Sequence, residues 1–232
     1  MFKRIIFGVS FFILMSQVIY AQNSKDLKAD IYSKIRDYRC TEMTLDKCDC
    51  PAAKEMKAYI DAFLETGMSE RDILYRVAKK FSLRVIVDQS VKESIEKKLI
   101  KETGGNYSRS MFEPPLFNFG QVSKSQGKVS MVSKIYNKGN LDLIITNIRV
   151  SCPCVSVSLK TGQEKSEYLG VGGASAGWQA VIAPNRFGEL EVVLDLNHSS
   201  MSIGKQVREV YISSNDLFEK NTSVKAIIEV KE

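Results

Sequence analysis

The chain has one histidine and one tryptophan in 232 residues. With His198 as its sole imidazole, a Cys–His catalytic dyad would depend on that one residue, which sits in the polar turn Asn197-His198-Ser199-Ser200. A structural zinc site is disfavoured too, because the cysteines do not form two Cys-x-x-Cys arms. The glycine-rich stretch Gly170 to Gly177 lacks the Gly-Lys-Ser/Thr ending and the following helix of a phosphate cradle, which leaves it as a loop between strands. No run of five or six like charges occurs, so the formal charge of +6 does not describe a nucleic-acid-binding surface. Low-complexity tracts are absent, and the only internal repetition is a doubled Cys-x-Cys. Nothing in this pattern calls for a cofactor.

Long apolar runs are also missing, with one short exception at the start. Met1-Phe2-Lys3-Arg4 is followed by apolar residues from Ile5 to Met15 and then by Tyr20-Ala21-Gln22. A basic start, an apolar stretch of about ten residues and a small residue at the cut predict a signal peptide over residues 1–21. Gly8, Ser10, Ser16 and Gln17 interrupt the run too often for a membrane span. The mature chain is therefore expected in the periplasm, without a span, where disulfides persist. Loss of Lys3 and Arg4 lowers the charge to +4, with 31 basic against 27 acidic residues. All five cysteines lie beyond the cut, and an odd number leaves at least one thiol free, metal-bound or paired with another molecule.

Hydrophobic periodicity divides the mature chain in two. Leu27, Ile31, Ile35 and Tyr38 form one stripe of a helix expected to end just before Cys40. Pro51 opens a second helix with Ala52, Met56, Tyr59, Ile60 and Phe63 on one face, and Gly67 ends it. Ser69 caps a third helix carrying Ile73, Leu74, Val77 and Phe81, and Ser90 a fourth with Val91, Ile95 and Leu99. Residues 22–103 thus form a small antiparallel helical domain. Residues 104–114, with two glycines and two prolines, are expected to be a linker. From 115 to 232 the period becomes two, with strand-like segments at 116–119, 129–136, 141–150, 155–159, 178–182, 190–196, 207–213 and 222–230. Eight short strands predict an all-β immunoglobulin-like sandwich, with Trp178 in its core, and the fold class is α+β in two domains.

Tyr38-Arg39-Cys40, Ala53-Lys54-Glu55-Met56, Gly67-Met68-Ser69 and Lys80-Phe81-Ser82-Leu83-Arg84-Val85 resemble the CcmH/CycL/NrfF family of periplasmic cytochrome c maturation proteins over residues 31–87. That family has a three-helix bundle whose Leu-Arg-Cys-x-x-Cys motif exchanges electrons with apocytochrome. The first cysteine corresponds to Cys40; Met43 stands at the position of the second. Further on, Phe117 to Val122, Asn137-Lys138-Gly139-Asn140, Ser151-Cys152-Pro153-Cys154 and Ser213-Ser214-Asn215-Asp216 resemble a family of secreted bacterial immunoglobulin-like domains of unknown function, similar to the ASPM–SPD-2–Hydin modules. Such modules bind or space other proteins, and their usual pattern has glycine where Pro153 stands.

Chemistry is expected at Cys40, Cys48 and Cys50, three cysteines within eleven residues before the second helix. A thiol in the first turn of a helix feels backbone N–H groups and the positive end of the dipole, which favour thiolate. Lys47 and Lys54 add to this; Asp46, Asp49 and Glu55 oppose it. Three readings remain open. The cysteines are a redox set exchanging electrons with a client protein, or Cys40 and Cys48 form a structural bridge in a binding module, or the Cys-x-Cys pairs hold Cu(I). Cys152 and Cys154, at the end of a strand, are expected as a local structural disulfide or a secondary thiol pair. The leading expectation, drawn mainly from the resemblance, is a thiol–disulfide factor of cytochrome c maturation, its sandwich holding the client or an assembly partner.

Overall fold

The computed structural model describes residues 26–38 and 43–232; the expected signal peptide and Cys40 lie outside them. The chain divides into two compact units, Met1–Lys97 and Lys98–Glu232. The division falls within the fourth helix, a few residues before the expected boundary.

In the first unit, residues 26–33 are helical (α1). Helix α2 spans Pro51–Leu64 and α3 spans Glu70–Lys80. Their buried faces follow the predicted stripes: Ala52, Ala53, Met56 and Ile60 on α2, and Ile73, Leu74, Tyr75, Val77 and Ala78 on α3. Full burial of each large aliphatic side chain stabilises the fold by about 1.5–3 kcal/mol. The Ser69 hydroxyl accepts from the Asp72 N–H at 3.3 Å, as its position predicts, and acidic and basic residues occupy the favourable ends of α3. Helix α4 spans Gln89–Glu102 and contains buried Ile95 and Leu99. Its first turn is held by Asp88, which accepts from the Val91 N–H at 2.9 Å, rather than by Ser90.

The first helix is shorter than its periodicity implies. After residue 33 the backbone leaves the helix, and residues 34–37 lie between residues 43–45 and 85–87. Arg36 N–H donates to Val85 O at 2.7 Å, Val87 N–H to Lys34 O at 2.9 Å, Leu45 N–H to Ile35 O at 2.9 Å and Asp37 N–H to Met43 O at 3.1 Å. Ile35 is fully buried, as the stripe requires, and its backbone is satisfied by neighbouring segments instead of by a third helical turn.

The second unit is a two-layer sandwich. Strands β1 to β10 are Ser110–Glu113, Phe117–Ser123, Lys128–Asn137, Leu143–Val150, Val155–Thr161, Glu164–Lys165, Ala180–Ile182, Phe187–Asp195, Gly204–Ser214 and Asn221–Lys231. One sheet has the order β1-β3-β8-β5-β6 and the other β2-β10-β9-β4-β7; every pairing is antiparallel except β2 with β10. The core between them takes alternate residues from both sheets, among them Ile135, Val157, Leu190, Val192 and Leu194 from the first and Ile145, Ile148, Val210, Ala226 and Ile228 from the second. This is the α+β arrangement of a helical unit and an immunoglobulin-like sandwich.

Two expectations are corrected. Residues 104–114 are not a plain linker, because Ser110–Glu113 pairs with Lys134–Asn137 as an edge strand. Ser110 is held through its N–H and its hydroxyl by buried Asp216 at 2.6 and 2.7 Å, and the Tyr107 N–H donates to Asn140 Oδ1 at 2.8 Å. The backbone there passes so close to Gly139 that a Cβ at residue 139 would lie 2.2 Å from Tyr107 O. Trp178 likewise precedes its strand and lies half-buried against the core's edge.

Candidate functional site

Three groups from separate parts of the first unit meet at the start of α2. Asp37 comes from the extended strip after α1, Cys48 from the turn that follows Leu45, and Cys50 is the N-cap of α2. Cys50 has extended backbone angles and precedes Pro51, which fits the first helical position because its missing N–H would find no intrahelical partner. Its sulfur accepts from the Ala53 N–H at 3.4 Å, the role that a serine or aspartate oxygen fills at most such caps. The Cys50 thiol in turn donates to Asp37 Oδ2 at 2.6 Å, and the Cys48 thiol approaches the same oxygen at 3.5 Å. Asp37 is fully buried, Cys48 is 2% exposed and Cys50 is half-exposed. Cys48 and Cys50 are free thiols among the described residues, and Cys40, the other end of the bridge considered from sequence, lies outside them.

The electrostatics differ from the sequence expectation. The Cys50 thiol is raised above the ordinary thiol value, first because it hydrogen-bonds to the Asp37 carboxylate, with burial and Cys48 adding to the shift. The Ala53 and Ala52 N–H groups act in the opposite direction and are outweighed. The hydrogen bond to Asp37 holds the proton on sulfur more strongly than the helix N-terminus favours its loss. The lysines bring little compensation. Lys54 Nζ lies 3.6 Å from Asp49, Lys57 Nζ donates to the Cys48 carbonyl at 2.7 Å, and Lys47 is exposed.

This geometry supplies a dithiol with a shared proton acceptor. Cys50 is the sulfur a client can reach, Cys48 is the one behind it, and Asp37 contacts both. The ligand atoms of the same three residues all lie within 4.8 Å of one another, so the group is also dimensioned for a metal ion. Asp37 was not among the residues singled out from sequence. It falls off the apolar stripe of α1, and only the departure of residues 34–37 from the helix turns it toward the cysteines. Cys40, three residues further along, lies outside the described residues.

Cys152 and Cys154 form a disulfide in the sandwich, at the crossover from β4 to β5. They are 7% and 1% exposed. The local disulfide expected from sequence is therefore present, in a different unit from Cys48 and Cys50. His198 lies in the β8–β9 loop, where its Nδ1 is 2.8 Å from the Ser200 hydroxyl. Beside Trp178 the sandwich has a groove of about 420 Å³ lined by residues that include Leu159, Thr161, Lys165 and Val181.

Residues 111–167 match a family of proteins of unknown function, DUF1573. No curated protein matches the chain. Among solved structures, a protein of unknown function from Porphyromonas gingivalis W83 is 13% identical with a TM-score of 0.41, covering 53% of this chain and 47% of that one. An ASH/PapD-like domain of human CEP192 is 6% identical with a TM-score of 0.34, covering 54% of this chain and 87% of that one. The CupB2 chaperone of Pseudomonas aeruginosa is 10% identical with a TM-score of 0.32, covering 52% and 55% respectively. The chain thus spans about half the length of the first and third of these proteins. Likeness at this level carries no functional information. No described helix is long and apolar enough to cross a membrane.

Proposed function

We propose that this is an exported thiol–disulfide exchange protein whose helical unit reduces a client disulfide and whose sandwich holds the client or a partner. The observation that supports it is the meeting of two free thiols on one buried carboxylate oxygen. Cys50 gives its proton to Asp37 and attacks a client sulfur; the client disulfide breaks and one client thiolate leaves. Asp37 returns that proton to the departing client thiolate; Cys48 then gives its own proton to the freed carboxylate and attacks the Cys50 sulfur of the mixed disulfide, and this second proton passes on to the other client sulfur. The second client sulfur leaves, and Cys48 and Cys50 are joined. Two electrons and two protons pass to the client in all. A disulfide over one intervening residue is sterically accessible to this chain, since it forms one at Cys152–Cys154.

In the narrower form implied by the likeness of residues 31–87 to cytochrome c maturation proteins, the client is an apocytochrome cysteine pair and Cys40 belongs to the exchanging set. The groove beside Trp178 is the concave surface that the sandwich offers to a partner. The test uses a peptide containing a Cys-x-x-Cys disulfide as client. The native chain is expected to reduce it stoichiometrically, Cys48→Ser to accumulate a mixed disulfide at Cys50, and Cys50→Ser to do neither. An unmodified Cys50 with free, unreacted Cys48 in the native chain would overturn the reading and leave a binding protein.

One observation favours a second reading, the fit of Asp37, Cys48 and Cys50 to a metal ion. Two thiolates suit Cu(I), whereas the hard carboxylate beside them suits a zinc-like ion better. Stoichiometric metal retention through gel filtration, lost in Cys48→Ser, would establish it in place of exchange.

A further inference from the structure

At one end of the sandwich the β4–β5 and β8–β9 crossovers run side by side. Ser151 N–H donates to Glu209 O of β9 at 2.9 Å and Asp195 N–H, at the end of β8, to Cys154 O at 2.9 Å, which ties the segment carrying the Cys152–Cys154 disulfide to both strands. Arg208 belongs to the alternate row of β9 that continues with buried Val210 and Ile212. Its Nε–H ends on Cys154 Sγ at 3.2 Å. The rest of the guanidinium is held by neutral acceptors. Nη2 donates to Ser200 O at 3.0 Å and Gln206 Oε1 at 2.9 Å, and Nη1 to Val207 O at 3.0 Å.

The other sulfur meets a different group. Ser200 Oγ lies 3.0 Å from Cys152 Sγ and 2.8 Å from His198 Nδ1, and the Ser200 N–H donates to that same Nδ1 at 3.1 Å. Nδ1 is therefore an acceptor, the serine hydroxyl donates to it, and an oxygen lone pair faces Cys152. A disulfide sulfur is a weak acceptor and gains little from any of this. A thiolate at Cys154 gains a charge-assisted hydrogen bond, and a thiol at Cys152 gains an acceptor. The surroundings are thus matched to the reduced pair, whereas a purely structural bridge needs neither feature.

We propose that Cys152–Cys154 is a second, oxidising exchange site that accepts electrons from a protein dithiol, with Arg208 stabilising the leaving thiolate. The proposal does not depend on the helical dithiol. A client thiolate attacks Cys152, the less deeply buried residue of the pair, and forms a new disulfide with it. The Cys152–Cys154 bond breaks and its electron pair leaves on Cys154 beside Arg208. The second client thiolate attacks the first client sulfur, closing the client disulfide and releasing Cys152, which takes a proton along the His198–Ser200 path. The client loses two electrons and two protons; one proton ends on Cys152 and the other in solvent. A lower-pKa leaving thiol departs faster and makes the disulfide the stronger oxidant, which is the effect of the arginine.

The test equilibrates the full-length chain with mixtures of reduced and oxidised dithiothreitol and reads Cys152 and Cys154 by differential alkylation and mass spectrometry. Arg208→Met is expected to shift the equilibrium at least tenfold toward the disulfide while Cys48 and Cys50 are unaffected. A folded Arg208→Met protein with a constant within twofold of the native one overturns the proposal. A second measurement needs no variant, and it decides the matter if Arg208→Met fails to fold. The native pair is expected to be reduced at least tenfold more readily than the same pair in the urea-unfolded chain; an equal or smaller tendency overturns the proposal.

Discussion

Replacing Asp37 with asparagine removes one charge from the thiol cluster while keeping nearly the same volume. The carboxylate is the leading reason that the Cys50 thiol is raised, so its loss lowers that value and leaves the Ala53 N–H and the helix N-terminus to act alone. A hydrogen bond to a charged group contributes about 1.5–3 kcal/mol, and the half-exposed position of Cys50 selects the lower end of that range through solvent screening. The thiolate fraction at pH 7 therefore rises. A less basic thiolate is also a weaker nucleophile, with a Brønsted slope of about 0.4–0.5, so the labelling rate rises by less than the thiolate fraction does. The assay is the rate of iodoacetamide labelling of the Cys50 peptide at pH 7 in the folded chain. The same variant should resolve a mixed disulfide more slowly, because Cys48 has lost its proton acceptor. Labelling at an unchanged or slower rate refutes the assignment of the raised thiol to Asp37.

Other outcomes follow from the packing. Gly139→Ala places a methyl group against the Tyr107 and Ser108 backbone, which cannot rotate away, and should cost about 3 kcal/mol in urea unfolding followed by the single tryptophan, Trp178. Asp216→Ala removes a buried acceptor from the Ser110 N–H and hydroxyl and from the Phe218 and Glu219 N–H groups; about 3 kcal/mol is expected, with faster amide exchange in β1. The Glu191 carboxyl is held below its usual value first by Lys165 and then by Tyr168. Its folded-state pKa is depressed, so its contribution is complete above the unfolded value of about 4.3 and fades as pH falls through the folded value; Glu191→Gln should remove about 0.5–1 kcal/mol of stability at pH 7 and flatten the acid limb of the stability curve.

Much of the architecture can be read from local pattern. The inward faces of α2 and α3 follow from spacing near 3.6, the Ser69 cap from a serine three residues before an acidic partner, and all eight expected strands appear with shifted ends. The short strands β1 and β6 escape such reading because each has too few residues to show a period. Asp88 in place of Ser90 at the start of α4 shows the same limit, since both residue types cap and only backbone direction selects between them.

The thiol cluster divides in the same way. Sequence alone placed Cys50 before Pro51 at a helix start, put Cys48 beside it, and offered Cys152 and Cys154 as a local disulfide or a thiol pair, because these are relations between near neighbours in the chain. It gave the wrong sign for the Cys50 thiol, since Asp37 is thirteen residues away and its approach depends on backbone bonds to residues 43–45 and 85–87. Arg208 reaches Cys154 across fifty-four residues for an equivalent reason: pairing of β4 with β9 brings Arg208 beside the β4–β5 crossover. Periodicity determined which faces are buried, whereas the charges facing each sulfur were decided only when distant segments completed their backbone hydrogen bonds.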